Sequence, residues 1–302
     1  MTMRKTKMAV LLLAIAGTAL LLTGCQVKIN TGTSGLSDFS YSDAEKYLGG
    51  TAELSETVEH IEIDWPVGTV TVTPHNADTV SFSEESSNTL TDDTRLHYWL
   101  DGTTLRIKLC GSGKWKLDEL KKDLTVLVPE DLMLTRLKVS CISAAICLDT
   151  VQAESAAIST TSGNIQLTGC AVTELAEVST VSGRLEAEFA QPLNEFNGRS
   201  TSGKLHVSAP SITRFQAGTV SGVVSLSAQT APEALGISTI SGNIGLSLPE
   251  DASFTLDYDS TSGDLSSDLP CHTDAGKYIF GDGNVKYTVS TVSGDVQITT
   301  VR

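Results

Sequence analysis

A short motif returns along the second half of this 302-residue chain. It reads Ser159-Thr-Thr-Ser-Gly163, Ser179-Thr-Val-Ser-Gly183, Ser200-Thr-Ser-Gly203, Thr219-Val-Ser-Gly222, Ser238-Thr-Ile-Ser-Gly242, Ser260-Thr-Ser-Gly263 and Ser290-Thr-Val-Ser-Gly294. Its glycines are spaced 20, 20, 19, 20, 21 and 31 residues apart, and a degenerate unit, Cys141-Ile-Ser-Ala144, precedes them. A unit near 20 residues cannot bury an apolar face alone, so a period repeated this often requires neighbours to stack. The long last spacing accommodates an insertion around residues 271–284.

Within each unit the apolar residues alternate, which is the period of a strand. Two positions past each glycine stand Ile165, Leu185, Leu205, Val224, Ile244, Leu265 and Val296. Five before it stand Ile158, Val178, Gly198, Ala217, Ile237, Tyr258 and Val289. The apolar parity switches at the glycine, so each Ser-Gly is a corner or bulge whose backbone angles suit glycine. The chain is thus expected to be all-β: a single-stranded parallel β-solenoid of about 20 residues per coil, rising about 4.8 Å each time. Eight units give a rod of roughly 35–40 Å on that rise. One parity places a hydroxyl pair in every coil, as in Thr160/Ser162 and Thr180/Ser182. A buried ladder is expected because Arg199 and Asp259 mark the opposite parity as outward; the alternative is an exposed hydroxyl array of the ice- or sugar-binding kind.

Residues 58–137 carry strands without the repeat, among them 61–65, 69–72, 96–100, 105–109 and 124–128, with Asp101-Gly102 as a hairpin turn. This region is expected to cap the solenoid proper, residues 138–302, whose first coil would otherwise present an open edge.

The beginning of the chain is an address. Arg4, Lys5 and Lys7 precede an apolar run from Met8 to Leu22, too short for a spanning helix and suited to a signal-peptide core. The run ends in Leu22-Thr23-Gly24-Cys25, which resembles the bacterial lipoprotein box. That resemblance implies removal of residues 1–24, lipid attachment at Cys25 and anchoring of the chain to the outer side of the cell membrane. Residues 25–57, rich in Ser, Thr and Gly, read as a tether with a short helical or turn element near Ser42–Leu48. Cleavage takes the formal net charge from −15 to about −18, which disfavours nucleic acid as a partner and holds the body off an anionic membrane. The other five cysteines, Cys110, Cys141, Cys147, Cys170 and Cys271, form no CxxC pair; disulfides and free thiols both stay open.

The early strand-glycine-strand unit Ile61-Glu-Ile-Asp-Trp65 to Gly68-Thr-Val-Thr-Val72, the stretch Asp101-Gly102 to Leu105, and the repeated Ser-Gly corners are together similar to the bacterial DUF4097 family, labelled "putative adhesin". The resemblance covers roughly residues 56–302 as one domain. It implies a cell-envelope role, as an adhesin or structural binding surface, and carries over no catalytic residues. Some relatives are encoded near envelope-stress systems, which implies as an alternative an accessory protein acting on a protein partner.

A third reading, a polysaccharide-active enzyme, needs grouped carboxylates. Only Asp264 and Asp295 fall one coil apart in a shared column. His60, His75, His97, His206 and His272 are scattered, and the Ser-Gly copies lack a G-x-S-x-G elbow. Gly281-Asp-Gly-Asn284 reads as a tight turn. Trp65 and Trp99 lie in strands and are expected in the core; with Trp115 they would make a sugar platform only if exposed. The expectation is no catalytic residue, no metal and no cofactor, with the membrane (through Cys25) and a cell-wall glycan or envelope protein as partners.

Overall fold

The computed structural model describes residues 36–301, so residues 1–35, with the signal segment and Cys25, lie outside it. Among the described residues the chain winds into a solenoid of ten rungs, about 43 Å long at 4.8 Å per rung. Each rung gives one strand to each of two facing parallel sheets. The leading sheet holds the strand before each Ser-Gly corner and the trailing sheet the strand after it. Residues pair one to one across rungs, as in Val178↔Gly198 and Leu185↔Leu205. Strands Ile165–Thr180 and Leu205–Thr219 are long enough to pass from the trailing sheet into the leading sheet of the next rung.

The inward columns form the core between the sheets. Ile158, Val178 and Ile237 from one side meet Ile165, Leu185 and Val224 from the other, all buried. Such burial stabilises by about 1.5–3 kcal/mol per large aliphatic side chain. Volume is traded along the column: Gly198 leaves the space beside Phe196 that its own side chain would fill. The Phe196 ring stacks on Phe215 of the next rung, centroids 5.3 Å apart.

The corners hold the repeat's chemistry. Glycine is required there by crowding and not by backbone angle: none of the repeat glycines has positive φ. A Cβ on Gly183 would overlap the carbonyl oxygen of Gly163, and the same holds for Gly203 on Gly183, Gly222 on Gly203 and Gly242 on Gly222. Only Gly68, in the corresponding corner of an earlier rung, has φ +101°.

The expected buried hydroxyl pair is half correct. Thr160, Thr180, Thr219, Thr239 and Thr291 are buried. Each of Thr180, Thr219 and Thr291 accepts the N–H of the glycine three residues on, at 2.9 Å. The serine just before the glycine is exposed in every copy, because the bend at the corner breaks strand parity there. Arg199 and Asp259 point outward as expected.

Between residues 133 and 248 the rungs stack in chain order, but at both ends they do not. Val285–Thr291 lies between Ala234–Thr239 and Phe254–Ser260, so the last rung in sequence is next to last in space. The trailing sheet agrees, with Val296–Thr300 between Ile244–Leu248 and Leu265–Ser267. Likewise His60–Asp64 lies between Thr104–Lys108 and Met133–Ser140. Residues 58–137 are thus more than a cap. They supply two full rungs, His60–Asp64 with Gly68–His75 and Thr104–Lys108 with Lys122–Pro129.

Antiparallel strands cover both sheets at the near end and the leading sheet at the hairpin end, blunting parallel edges there. His97–Asp101 covers Thr104–Lys108, turning at Gly102 as the sequence predicts, and Val80–Glu85 covers Lys122–Pro129. At the other end Lys277–Phe280 and Cys271–Asp274 form a hairpin on Phe254–Ser260, inside the expected insertion.

The folded body also begins earlier than the tether reading places it. Ser37–Asp38 pairs with Lys114–Trp115, Leu48–Gly49 with His97 and Tyr98, and Ala52–Leu54 with Val80–Glu85. The reason is its few large side chains: Phe39 and Leu54 are buried, and the Tyr41 and Tyr47 rings lie 4.8 Å apart. The short helical element is a 3-10 turn at Ala44–Lys46.

Candidate functional site

The residues that looked most like chemistry hold the backbone together. Asp295 accepts the N–H of Asp264 on its Oδ1 at 3.1 Å, while its own N–H is taken by Asn243 Oδ1 at 3.1 Å. Asn164 does the same for the N–H of Arg184 at 3.0 Å. The column after each glycine therefore contains side-chain acceptors for corner amides, and the two aspartates are part of that ladder. Gly281 and Gly283, both with positive φ, make the expected turn, fixed where Asp282 N–H donates to Ser253 Oγ at 3.0 Å.

Trp65 is buried, and its indole donates to the Lys122 carbonyl at 3.0 Å. Trp99 is only half-buried, so it is not the core residue expected. It is overlaid instead, with the Tyr47 ring at 5.7 Å and Lys46 Nζ at 4.7 Å. Trp115 donates to Gly111 O at 2.9 Å. The three do not form one platform.

All five described cysteines are free thiols. Burial pushes Cys110 up to about 12 and Cys170 up to about 11, while Cys271 is exposed on the end hairpin. Among the described residues no group of three His, Cys, Asp or Glu could hold a metal ion, and no helix is long and apolar enough to cross a membrane.

One ionic site escaped the sequence reading. Lys122 and Glu84, both with buried side chains, pair at 2.5 Å beneath the end strands. Lys122 Nζ also donates to Thr94 O at 2.6 Å, and Glu84 Oε1 accepts Leu96 N–H at 2.7 Å. Burial lowers the Lys122 pKa, and Glu84 opposes that shift. This pair fastens the capping strands to the first rungs.

The outer face of the leading sheet carries a trough of about 410 Å³. His60 and Arg136 are neighbours across two rungs, Arg136 lies opposite Ser155, and Ser155 opposite Leu175. One row further, Ala157 lies opposite Glu177. The floor is therefore the small residues of Gln152–Thr160, with a basic wall one rung below and a wall of Leu175 and Glu177 one rung above. Glu154 lies at one end of the trough, beside an irregularity in register between Ala153 and Ser155. His60, Arg136, Ser155 and Leu175 all fall eight positions before the corner residue, and Ala157 and Glu177 six before it, so the walls follow the corner spacing and only Glu154 lies at the irregularity.

The model of the Toastrack DUF4097 family matches residues 58–299, most of the chain. The chain belongs to this family. The Toastrack match takes in all ten rungs and the trough, and it begins after the capping strands at residues 37–54. No curated protein matches the chain. Among solved structures, it is similar to a putative adhesin from Bacteroides fragilis NCTC 9343, at 12% identity over 85% of this chain and 98% of that one, TM-score 0.42. It is also similar to a putative cell adhesion protein from Clostridium sporogenes ATCC 15579, at 11% identity over 83% of this chain and 100% of that one, TM-score 0.27.

Proposed function

We propose that this Toastrack chain is a non-catalytic binding module of the bacterial cell envelope, lipid-anchored through Cys25 and displayed outside the cell membrane. The observation that carries the reading is where the chain enters the rod. Ser37–Asp38 joins Lys114–Trp115, and Phe39 N–H donates to Gly113 O at 2.8 Å, next to the first rung. An anchor at Cys25 would hold that end toward the membrane and direct the hairpin end outward. The acidic body, about −18 once residues 1–24 are removed, favours that stance over an anionic surface. Ten rungs of fixed spacing present the same outer faces repeatedly, which suits weak contacts summed by multivalency.

The test is retention of the full-length, detergent-solubilised chain on purified cell-wall sacculi and on immobilised envelope proteins. Binding to sacculi supports the surface-module reading. Binding to one envelope protein alone supports the accessory reading, and binding to neither sinks both. A Cys25→Ala chain should lose fatty-acid labelling and leave the membrane fraction; persistence there would rule out the lipid anchor.

A further inference from the structure

We propose that the leading-sheet trough binds a zwitterionic peptide unit of a cell-wall polymer, its carboxylate on Arg136 and its ammonium on Glu154 and Glu177. The proposal rests on the envelope reading and adds the ligand's chemistry. Several charged residues on this sheet pair with each other: Arg106 with Glu62, Lys108 with Asp64, and Arg214 with Glu195 at 3.2 Å. Among the described residues, Arg136, Glu154 and Glu177 make no such pair although they line one cavity. The geometry explains this for Arg136 and Glu177. They stand on rungs separated by Gln152–Thr160, about 9.6 Å apart at 4.8 Å per rung, beyond ion-pair reach.

At that separation in water their mutual attraction is weak, so they are free to meet charges on a ligand. Ser155 and Ala157 leave the floor low enough to admit one. The guanidinium suits a carboxylate because its donors can engage both oxygens, while Glu177 on the opposite wall and Glu154 at the end of the floor strand suit an ammonium. His60 extends the basic wall by one rung. A neutral glycan would use none of these charges. Nucleic acid would use only one sign of them.

The test titrates the full-length chain in detergent with a lysine-containing tetrapeptide released from cell wall by amidase, followed by NMR of the His60 imidazole. Saturable binding is expected, weakened about fivefold by Arg136→Ala and about fivefold by Glu177→Gln, as befits exposed charge contacts. Acetylating the peptide's amines or amidating its carboxylates should each weaken binding similarly, and Arg199→Ala, outside the trough, should change nothing. All three residues are exposed, so the variants should melt with the parent. Binding as tight as the parent's by either trough variant, or by the capped peptides, would overturn the assignment. A chain that ignores the peptide yet stays on intact sacculi would overturn the trough and leave the envelope reading standing; loss of both would remove both.

Discussion

The middle of the rod and its ends are built from the same unit by different rules. From residue 133 to 248 the chain climbs one rung per repeat, each corner glycine lying against the carbonyl of the one before. At the hairpin end the chain overshoots, lays down the outermost rung and returns to fill the gap beneath it. At the other end it lays down the second rung first, then the outermost, and then crosses back to begin the third. Side chains account for the order at the hairpin end. Tyr287, Val289, Val296 and Ile298 of the inserted rung are fully buried, whereas Tyr258, Leu265 and Ser267 of the outermost rung are half-buried. Both rungs carry a Ser-Gly corner, Ser262-Gly263 and Ser293-Gly294, so the corner fixes how a rung is shaped. Which rung goes outside follows from which can tolerate water.

The difference between middle and ends can be broken by substitution. The largest effect belongs to the near end, where Glu84→Gln leaves Lys122 buried without its counter-charge. Unfolding in urea should show a loss of about 3–5 kcal/mol, and a loss under 1 kcal/mol would mean the pair is not the fastening described. Next come the glycines. Gly203→Ala, locked between rungs, should cost about 3 kcal/mol or more, while Gly263→Ala, in the outermost rung, should cost about 1 kcal/mol because that rung can shift. Equal costs would argue against a looser end.

Within a single corner, Thr219→Val removes the buried acceptor of Gly222 N–H and should cost about 1–3 kcal/mol. Ser221→Ala, two residues away and exposed, should change stability by less than about 0.5 kcal/mol.

The smallest effect is kinetic. Alkylation of the native chain at pH 8 followed by peptide mapping should mark Cys271 first and leave Cys110 and Cys170 for unfolding. With pKa values raised to about 12 and 11, these two stay protonated when folded. Their stabilising share is complete below the ordinary thiol range near 8.5 and is lost as pH rises through their folded values. Stability should therefore fall on the alkaline side, and less steeply in a Cys110→Ser chain measured by thermal melting.

Much of the middle was legible because the repeat states it: period, strand parity and corner all follow from the spacing of the glycines. The ends were legible only in part. Tyr258 and Ser267 depart from the apolar columns, and that departure is the sequence signal that the Gly263 unit lies outermost. The rungs of residues 58–137 carry no Ser-Gly motif, since Gly68 follows Trp65-Pro66-Val67, and they read as a cap for that reason. Corner serines were misplaced because strand parity does not survive a bend. The trough went unread although its walls stand in columns eight and six positions before the corner, because only the columns nearest the Ser-Gly motif were compared and the first two wall residues, His60 and Arg136, precede corners without that motif.

Rung order is the central claim and can be read with a disulfide. Ser238 and Ser290 are directly paired neighbours, while Asp259 lies one rung beyond Ser290. In a Cys271→Ser chain, Ser238→Cys with Ser290→Cys should oxidise to an internal disulfide, since adjacent strands fall within the 4.4–6.8 Å such a bond spans. Ser238→Cys with Asp259→Cys, about 9.6 Å apart at two rungs, should stay reduced. A bridge between 238 and 259 with none between 238 and 290 would mean that the rungs stack in chain order after all.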